Sequence, residues 1–203
     1  MDMKIKQAED KWKDVLKEEL QGEMDKAPST VSSHDISHIR RVWDHVKEIS
    51  SEVDVDGEIL IAATFLHDIG RHYPEGDGVH GPVSAPYARD VLERIDFPSE
   101  KIESVINSIK YHDETFPSKK REKLEAKVLY DADKLDSFGA VGISRFLIFH
   151  TKRGKKLGEV ADYTLENIPL RFEKLELEKA RKISKEKFEY AVQYFKDLKE
   201  EIK

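Results

Sequence analysis

The sequence predicts an all-α fold, a helical bundle continued by long C-terminal amphipathic helices. Three observations carry that prediction. Apolar residues recur at spacings of three and four through most of the chain, as they do in helices with one buried face. Ten glycines and seven prolines in 203 residues are few for a fold of many tight turns. Charged residues make up 37% of the chain, well above the usual quarter, and lie largely in Lys/Glu-rich stretches that solvate outer helix faces. The 38% of hydrophobic residues is enough for one core. The length suits one domain over 1–203, with its core at about 33–153, an N-terminal helix at 5–20 and C-terminal helices at about 157–203.

Residues 5–20 set Ile5, Trp12, Val15, Leu16 and Leu20 among charges and read as an amphipathic helix. The polar stretch 21–33, with Gly22, Pro28 and a Ser/Thr cluster, reads as a loop. A second helix opens near Asp35 or Ser37, either of which can cap it. It runs to about Glu52 with Ile39, Val42, Val46 and Ile49 as its apolar stripe. His38 lies at the edge of that stripe, and Arg41 sits one turn on. His45, seven beyond His38, is about 10 Å further along the axis, too far to share one metal with it. It is read as a packing or surface histidine.

The chain is organised around Ile59-Leu60-Ile61-Ala62-Ala63-Thr64-Phe65-Leu66-His67-Asp68-Ile69-Gly70. Apolar or small residues run without a charge until a histidine and a carboxylate arrive side by side. Opening after Asp56-Gly57-Glu58, this reads as a helix buried on most of its surface, with Gly70 as its stop. An imidazole and an ionised carboxylate at the end of such a helix need partners, and a divalent metal satisfies both at once. The competing reading has Asp68 capping the next turn and His67 bonding a backbone carbonyl. His34-Asp35 and His112-Asp113 show that the dipeptide recurs elsewhere in this chain.

The Gly- and Pro-containing stretch 71–82 holds Arg71, His72, Glu75, Asp77 and His80 and reads as a loop that closes over substrate. Helices follow at about 83–95 and 100–111, the second with Ile102, Val105, Ile106 and Ile109 inward and ending at His112. After an exposed connection around Pro117, Val128, Leu129, Ala132 and Leu135 fit one helical face. Asp131, Asp133 and Asp136 interrupt that face and are costly there without cationic partners. The stretch 142–150 is apolar again and carries Arg145; Lys152-Arg153-Gly154-Lys155-Lys156 is read as a solvated helix end. From about Tyr163 two long Lys/Glu-rich helices follow, with a break near Ile183-Ser184.

A net charge of −6 argues against wrapping nucleic acid. It leaves room for a phosphorylated small molecule, because a bound metal supplies local positive charge. Without cysteine there are neither disulfides nor thiolate metal sites. No apolar stretch reaches the roughly 18 residues of a membrane span, and the N-terminus lacks the apolar segment of a signal peptide. A cytoplasmic protein is expected.

The inward polar residues are His38, the pair His67-Asp68, His112 and Asp133, drawn from four helices or helix ends. Imidazoles and carboxylates without sulfur suit a hard to borderline divalent ion in six coordination, with water in the open positions. An open site means a metal-activated water, hence hydrolysis. At this point the chain resembles the HD superfamily of metal-dependent phosphohydrolases. The likeness rests on His38-Ile39-Arg40-Arg41-Val42, Leu66-His67-Asp68-Ile69-Gly70 and Asp131-Ala132-Asp133-Lys134-Leu135-Asp136, in that order. It runs from about Ser33 to Arg145. Downstream, Phe172-Glu173-Lys174-Leu175, Ala180-Arg181 and Phe188 look like the C-terminal helices of the small stand-alone bacterial and archaeal HD hydrolases.

The resemblance implies an HD-type helical bundle in which His38, His67, Asp68 and Asp133 bind the metal. It implies hydrolysis of a phosphoester or phosphoanhydride, often in a nucleotide. His80 and His112 match positions that add a second metal in some branches; here one ion is expected, Mn²⁺, Fe²⁺, Co²⁺ or Mg²⁺, with Ni²⁺ or Zn²⁺ as crystal substitutes. The His-His pair and Gly-Tyr-Pro triplet of the cyclic-dinucleotide branch are missing, and Glu75 and Asp77 are a loose substitute for the Glu-Asp pair of alarmone hydrolases. Four ligands with two carboxylates leave the site near neutral, so further cations must hold phosphate. Arg41, Arg71, Lys134 and Arg145 are assigned to substrate, with Lys110 a further cation in reach. Asp136 orients a ligand or pairs with Arg145. Asp68 acts in catalysis, and His72 or His112 protonates the leaving oxygen. The partner is a phosphorylated small molecule, a nucleotide foremost, with no nucleic-acid wrapping and no membrane; a homodimer is compatible. The rival readings are a non-catalytic metal- or nucleotide-binding regulatory helical domain and a purely structural helical module.

Overall fold

The computed structural model describes residues 3–26, 36–73, 75 and 79–202. Among these there are nine α-helices and no strand, as the spacing of apolar residues requires. The helices are α1 (Met3–Lys26), α2 (Ile36–Ile49), α3 (Gly57–Leu66), α4 (Gly81–Arg94), α5 (Ser99–Tyr111), α6 (Leu124–Leu135), α7 (Gly139–Thr151), α8 (Leu157–Glu173) and α9 (Glu178–Glu201). None of the described helices is long and apolar enough to cross a membrane. The chain divides into two compact units, Met1–Tyr130 and Asp131–Lys203.

In the first unit α3 is the central element, and α1, α2 and α5 pack around it. Its residues from Ile59 to Leu66 are all buried, which is why the segment shows no amphipathic period. Asp56 caps it, its Oδ1 accepting the N–H groups of Glu58 and Ile59 at 2.9 and 3.3 Å. A Cβ at Gly57 would stand 2.7 Å from the Lys4 carbonyl oxygen, so the glycine lets α1 press on the start of α3. Glu58 then ties three helices together. It accepts from Lys11 at 2.9 Å and from the Trp12 indole at 2.8 Å, both on α1, and from Lys101 of α5 at 2.7 Å. Burial alone would raise the Glu58 carboxyl, but Lys101, Lys11 and Trp12 outweigh it and hold the group down at about 2.

In the second unit α8 and α9 pair, and α7 packs on both. Phe172 and Phe188 stack at 4.3 Å between α8 and α9, with Phe138 edge-on to each at 6.0 Å. Buried Asp131 accepts the N–H groups of Glu176 and Leu177 at 2.9 and 2.7 Å, satisfying donors at the start of α9.

Two element boundaries differ from the sequence reading. The stretch 21–26 belongs to α1 and is not loop. Glu23 stabilises it by accepting from Lys26, the Tyr73 hydroxyl and Arg94, and Gly22 meets nothing within 4 Å that a helix would crowd. The C-terminal break falls at 174–177, where Asp131 accepts the backbone N–H groups of Glu176 and Leu177, and not at Ile183-Ser184. Ser184 sits buried inside α9 with its hydroxyl donating to the Ala180 carbonyl at 2.7 Å. The expected loop at 27–33, the cap residue Asp35 and His34 lie outside the described residues.

Candidate metal centre

Two close backbone approaches assemble the polar centre of the first unit. α3 stops at Leu66, with His67 as its C-cap and Asp68 next, and a 3-10 turn over Ile69–His72 leads away. Gly70 is therefore not the left-handed stop that the sequence suggested. Its role is contact: a Cβ there would stand 2.6 Å from the Ser84 nitrogen, while its N–H donates to Ser84 Oγ at 2.9 Å. Gly81 does the same one helix on, since a Cβ would meet the Ile109 and Lys110 carbonyl oxygens at 2.7 and 2.8 Å. The start of α4 is thus held against the ends of α3 and α5. His80, the N-cap of α4, and His112, the C-cap of α5, arrive beside Asp68. His38 joins them from the buried face of α2.

Asp68 is the hub. Its Oδ2 lies 3.6 Å from His38 Nε2 and 3.5 Å from His67 Nε2. Its Oδ1 lies 2.9 Å from His80 Nε2, 2.9 Å from Arg71 Nε and 3.7 Å from His112 Nε2. All four histidines and the carboxylate are buried. Two groups, His38/His67/Asp68 and Asp68/His80/His112, each offer ligand atoms within 4.8 Å of one another. A cluster of imidazoles and a carboxylate, free of sulfur, is a donor set that a hard to borderline divalent cation fits.

The tautomers sharpen the point. His67 Nδ1 donates to the Thr64 carbonyl at 2.8 Å, and His112 Nδ1 to the Ile109 carbonyl at 2.5 Å. With the proton held there, each Nε2 of a neutral ring carries a lone pair; that of His112 lies 2.8 Å from His80 Nε2, whereas that of His67 lies 3.5 Å from Asp68 Oδ2, itself an acceptor. Acceptor facing acceptor in a buried site is unfavourable, and a cation between them removes the conflict. His80 differs. Its Nδ1 lies 3.1 Å from Asp113 Oδ2 and its Nε2 2.8 Å from His112 Nε2. Burial alone would lower the His80 imidazole, but Asp68 and Asp113 outweigh it and hold the group above its ordinary value. His72 goes the other way: burial depresses it, Asp68 opposes, and Arg71 adds to the depression.

Of the residues singled out in the sequence, His38, His67, Asp68 and His112 come together here, as does Arg71. Its Nη2 also reaches His80 Nε2 at 3.1 Å, so in this state Arg71 serves Asp68. His72 is buried in the turn that follows. Arg41 is half-buried on α2 and donates to Ser37 Oγ at 3.1 Å. Pro74, Gly76, Asp77 and Gly78 of the expected covering loop lie outside the described residues, and the loop ends earlier than 82 because α4 starts at Gly81. In the second unit, Asp133 is half-buried with Lys134 Nζ 2.8 Å from its Oδ2. Buried Asp136 pairs with Arg145 at 2.5 Å, one of its two expected roles. The sequence reading passed over Asp113. Its signal was present, because His112-Asp113 ends an apolar helix just as His67-Asp68 does.

The HD domain family model matches residues 35–137, half of the chain. The Bacillus subtilis (strain 168) protein YpgQ is 27% identical over 178 residues, which is 84% of this chain and 85% of YpgQ. Its crystal structure in complex with ADP superposes with a TM-score of 0.69 at 25% identity, over 92% of this chain and 96% of that one. A predicted HD superfamily hydrolase from an uncultured Thermotogales bacterium gives a TM-score of 0.66 at 26% identity, over 95% and 93% of the two chains. An HD-superfamily hydrolase from Bacillus thuringiensis shares the fold, with a TM-score of 0.73 at 20% identity over 96% and 97%. His38, His67, Asp68, His80 and His112 of this chain fall within the matched residues, and the chain belongs to the HD domain family.

Proposed function

We propose that this protein is a metal-dependent phosphohydrolase that cleaves a phosphoester or phosphoanhydride bond, of a nucleotide foremost. The observation that carries the reading is the buried Asp68 carboxylate with the Nε2 atoms of His38, His67 and His112 at 3.6, 3.5 and 3.7 Å from its oxygens. Membership of the HD family supports it, and YpgQ, the relative crystallised with ADP, supports the nucleotide.

His38, His67, Asp68 and Asp133 would hold one divalent ion, and all four fall within the family match. When bound, the ion supplies a water acidic enough to attack phosphorus near neutral pH. The protein's own groups do the rest. The Nδ1–H bonds of His67 and His112 to backbone carbonyls fix which ring nitrogen faces the site. Arg71, 2.9 Å from Asp68 Oδ1, can turn its guanidinium to phosphate oxygens and grip them bidentately. Arg41, Lys134 and Arg145 are the further phosphate cations. His112 Nε2 or His72, after taking up the proton released by the attacking water, delivers it to the leaving oxygen.

The test is a screen of nucleoside mono-, di- and triphosphates with Mn²⁺ or Co²⁺, followed by Asp68→Ala. Turnover that requires metal and is abolished by Asp68→Ala is expected. An Asp68→Ala protein that keeps wild-type turnover would place the chemistry elsewhere. Metal and ADP binding without turnover would favour the regulatory reading.

A further inference from the structure

We propose that the second unit carries a binding site for a small polyphosphate anion, built from Arg153, Lys155 and Arg171 around His150 and separate from the metal centre. The sequence concentrates charge here against its own balance. Four cations fall within the five residues 152–156 of a chain whose net charge is −6. Gly154, at φ +84° and with open space where a Cβ would be, turns the chain back so that both flanks of the basic turn face the same aromatic floor.

That floor is specific. The His150 ring lies parallel to Phe146 at 6.0 Å, edge-on to Phe149 at 5.1 Å and tilted on Tyr163 at 4.5 Å. Each neighbouring ring carries its own cation. The Arg153 guanidinium is 3.7 Å above Phe149, the Lys155 ammonium 4.5 Å above Tyr163, and the Arg171 guanidinium 5.3 Å from Phe146. Three positive charges therefore stand one ring away from a single imidazole. Packing on an aromatic face holds a long cationic side chain in place and lowers the entropy lost when it grips an anion.

The field at the centre is positive. Burial, reinforced by Lys155, Arg153 and Arg171, holds the His150 imidazole below its ordinary value. His150 is 7% exposed, so its ring is almost wholly enclosed by this shell. Two nearby acids of α8 are engaged elsewhere. Glu159 accepts the Lys156 backbone N–H at 2.8 Å, and Asp162 pairs with Lys199 at 2.5 Å. A compact cluster of three cations and a buried imidazole matches two or three linked phosphates. A long nucleic-acid backbone needs an extended basic track, which a chain of this net charge does not favour.

The test uses the full-length protein freed of metal with EDTA and titrated with inorganic tripolyphosphate by calorimetry at low salt. Ring resonances of His150 are followed by NMR. Wild type is expected to bind, with His150 shifting on titration. Arg153→Gln and Lys155→Gln, both at the surface turn, should each weaken binding by about fivefold, and the pair by more than about twentyfold. Asp68→Ala should leave the titration unchanged, which separates this site from the proposed metal chemistry. An absence of binding, a double variant as tight as wild type, or a His150 signal that stays still at saturation would each overturn the site. So would loss of binding in Asp68→Ala, which would assign the anion to the metal centre. Tighter binding per phosphate by a single-stranded oligonucleotide would replace the small anion with a nucleic acid.

Discussion

Glu58→Gln isolates the charge of one carboxylate at the junction of α1, α3 and α5. Glutamine keeps the shape and can still accept from the Trp12 indole, but gives up the attraction of Lys11 and Lys101. Because the folded protein holds Glu58 at about 2 against an ordinary 4.5, its charge contributes at most about 3 kcal/mol at neutral pH. Solvent screening at the lysine ends, which are 57% and 24% exposed, reduces that to about 1–2 kcal/mol. A depressed carboxylate stabilises the fold fully above its unfolded value and loses the effect as pH falls through the folded one. The window here is pH 4.5 down to about 2. The assay is thermal and urea unfolding of both proteins from pH 7 to the lowest pH at which they stay folded. At pH 7 the variant should melt about 3–6 °C lower, and the gap should narrow below pH 4.5 as the wild-type carboxyl becomes the neutral isostere. A gap that stays constant down to pH 3 would show that Glu58 acts through packing alone. Identical stability at pH 7 would show that the three-helix tie contributes nothing.

Three further outcomes follow from the geometry. Gly70→Ala forces a methyl to within 2.6 Å of the Ser84 nitrogen; it should cost about 1–3 kcal/mol and weaken metal binding with it, as a melt and a metal titration of one preparation would show. Arg71→Ala should raise the KM for a nucleotide at least about tenfold while changing metal affinity by less, and the reverse pattern would assign Arg71 to Asp68 alone. Asp131→Ala removes the acceptor for the N–H groups of Glu176 and Leu177 and should destabilise the protein by about 2–3 kcal/mol, read as a lower urea midpoint with an unchanged slope.

Helix identity and the heart of the centre were legible because both rest on local pattern. The uncharged run into His67-Asp68 reads as a buried helix, and the place of His38 at the edge of the Ile39 and Val42 stripe lets it look inward. What escaped depended on contacts distant in sequence. The end of α1 is set by Glu23 meeting Tyr73 and Arg94, and the break before α9 by Asp131 reaching residues 45 and 46 positions away. Neither partner is visible in a local window. Asp113 was passed over because its dipeptide was weighed singly, while its meaning comes from His80, 33 positions earlier in the chain. Gly70 was assigned to backbone freedom, the usual use of a glycine after a helix, whereas the space it leaves for Ser84 is what positions the site.

The proton that fixes the tautomer of two imidazoles in the centre is held by the helix that delivers each ring. His67 and His112 stand as the C-caps of α3 and α5, and each returns its Nδ1–H to a carbonyl three residues back, one of the groups a helix end otherwise leaves to water. One imidazole thus finishes a helix with one nitrogen and faces the polar centre with the other. An alanine scan of these positions will therefore report loss of a helix end together with loss of an imidazole from the centre, and inactivity alone will not separate them. Divergence is constrained in the same way. The residue type that ends α3 cannot change without taking a donor from the centre along, whereas at the start of the same helix Asp56 works by ordinary capping that Ser, Thr or Asn can also supply.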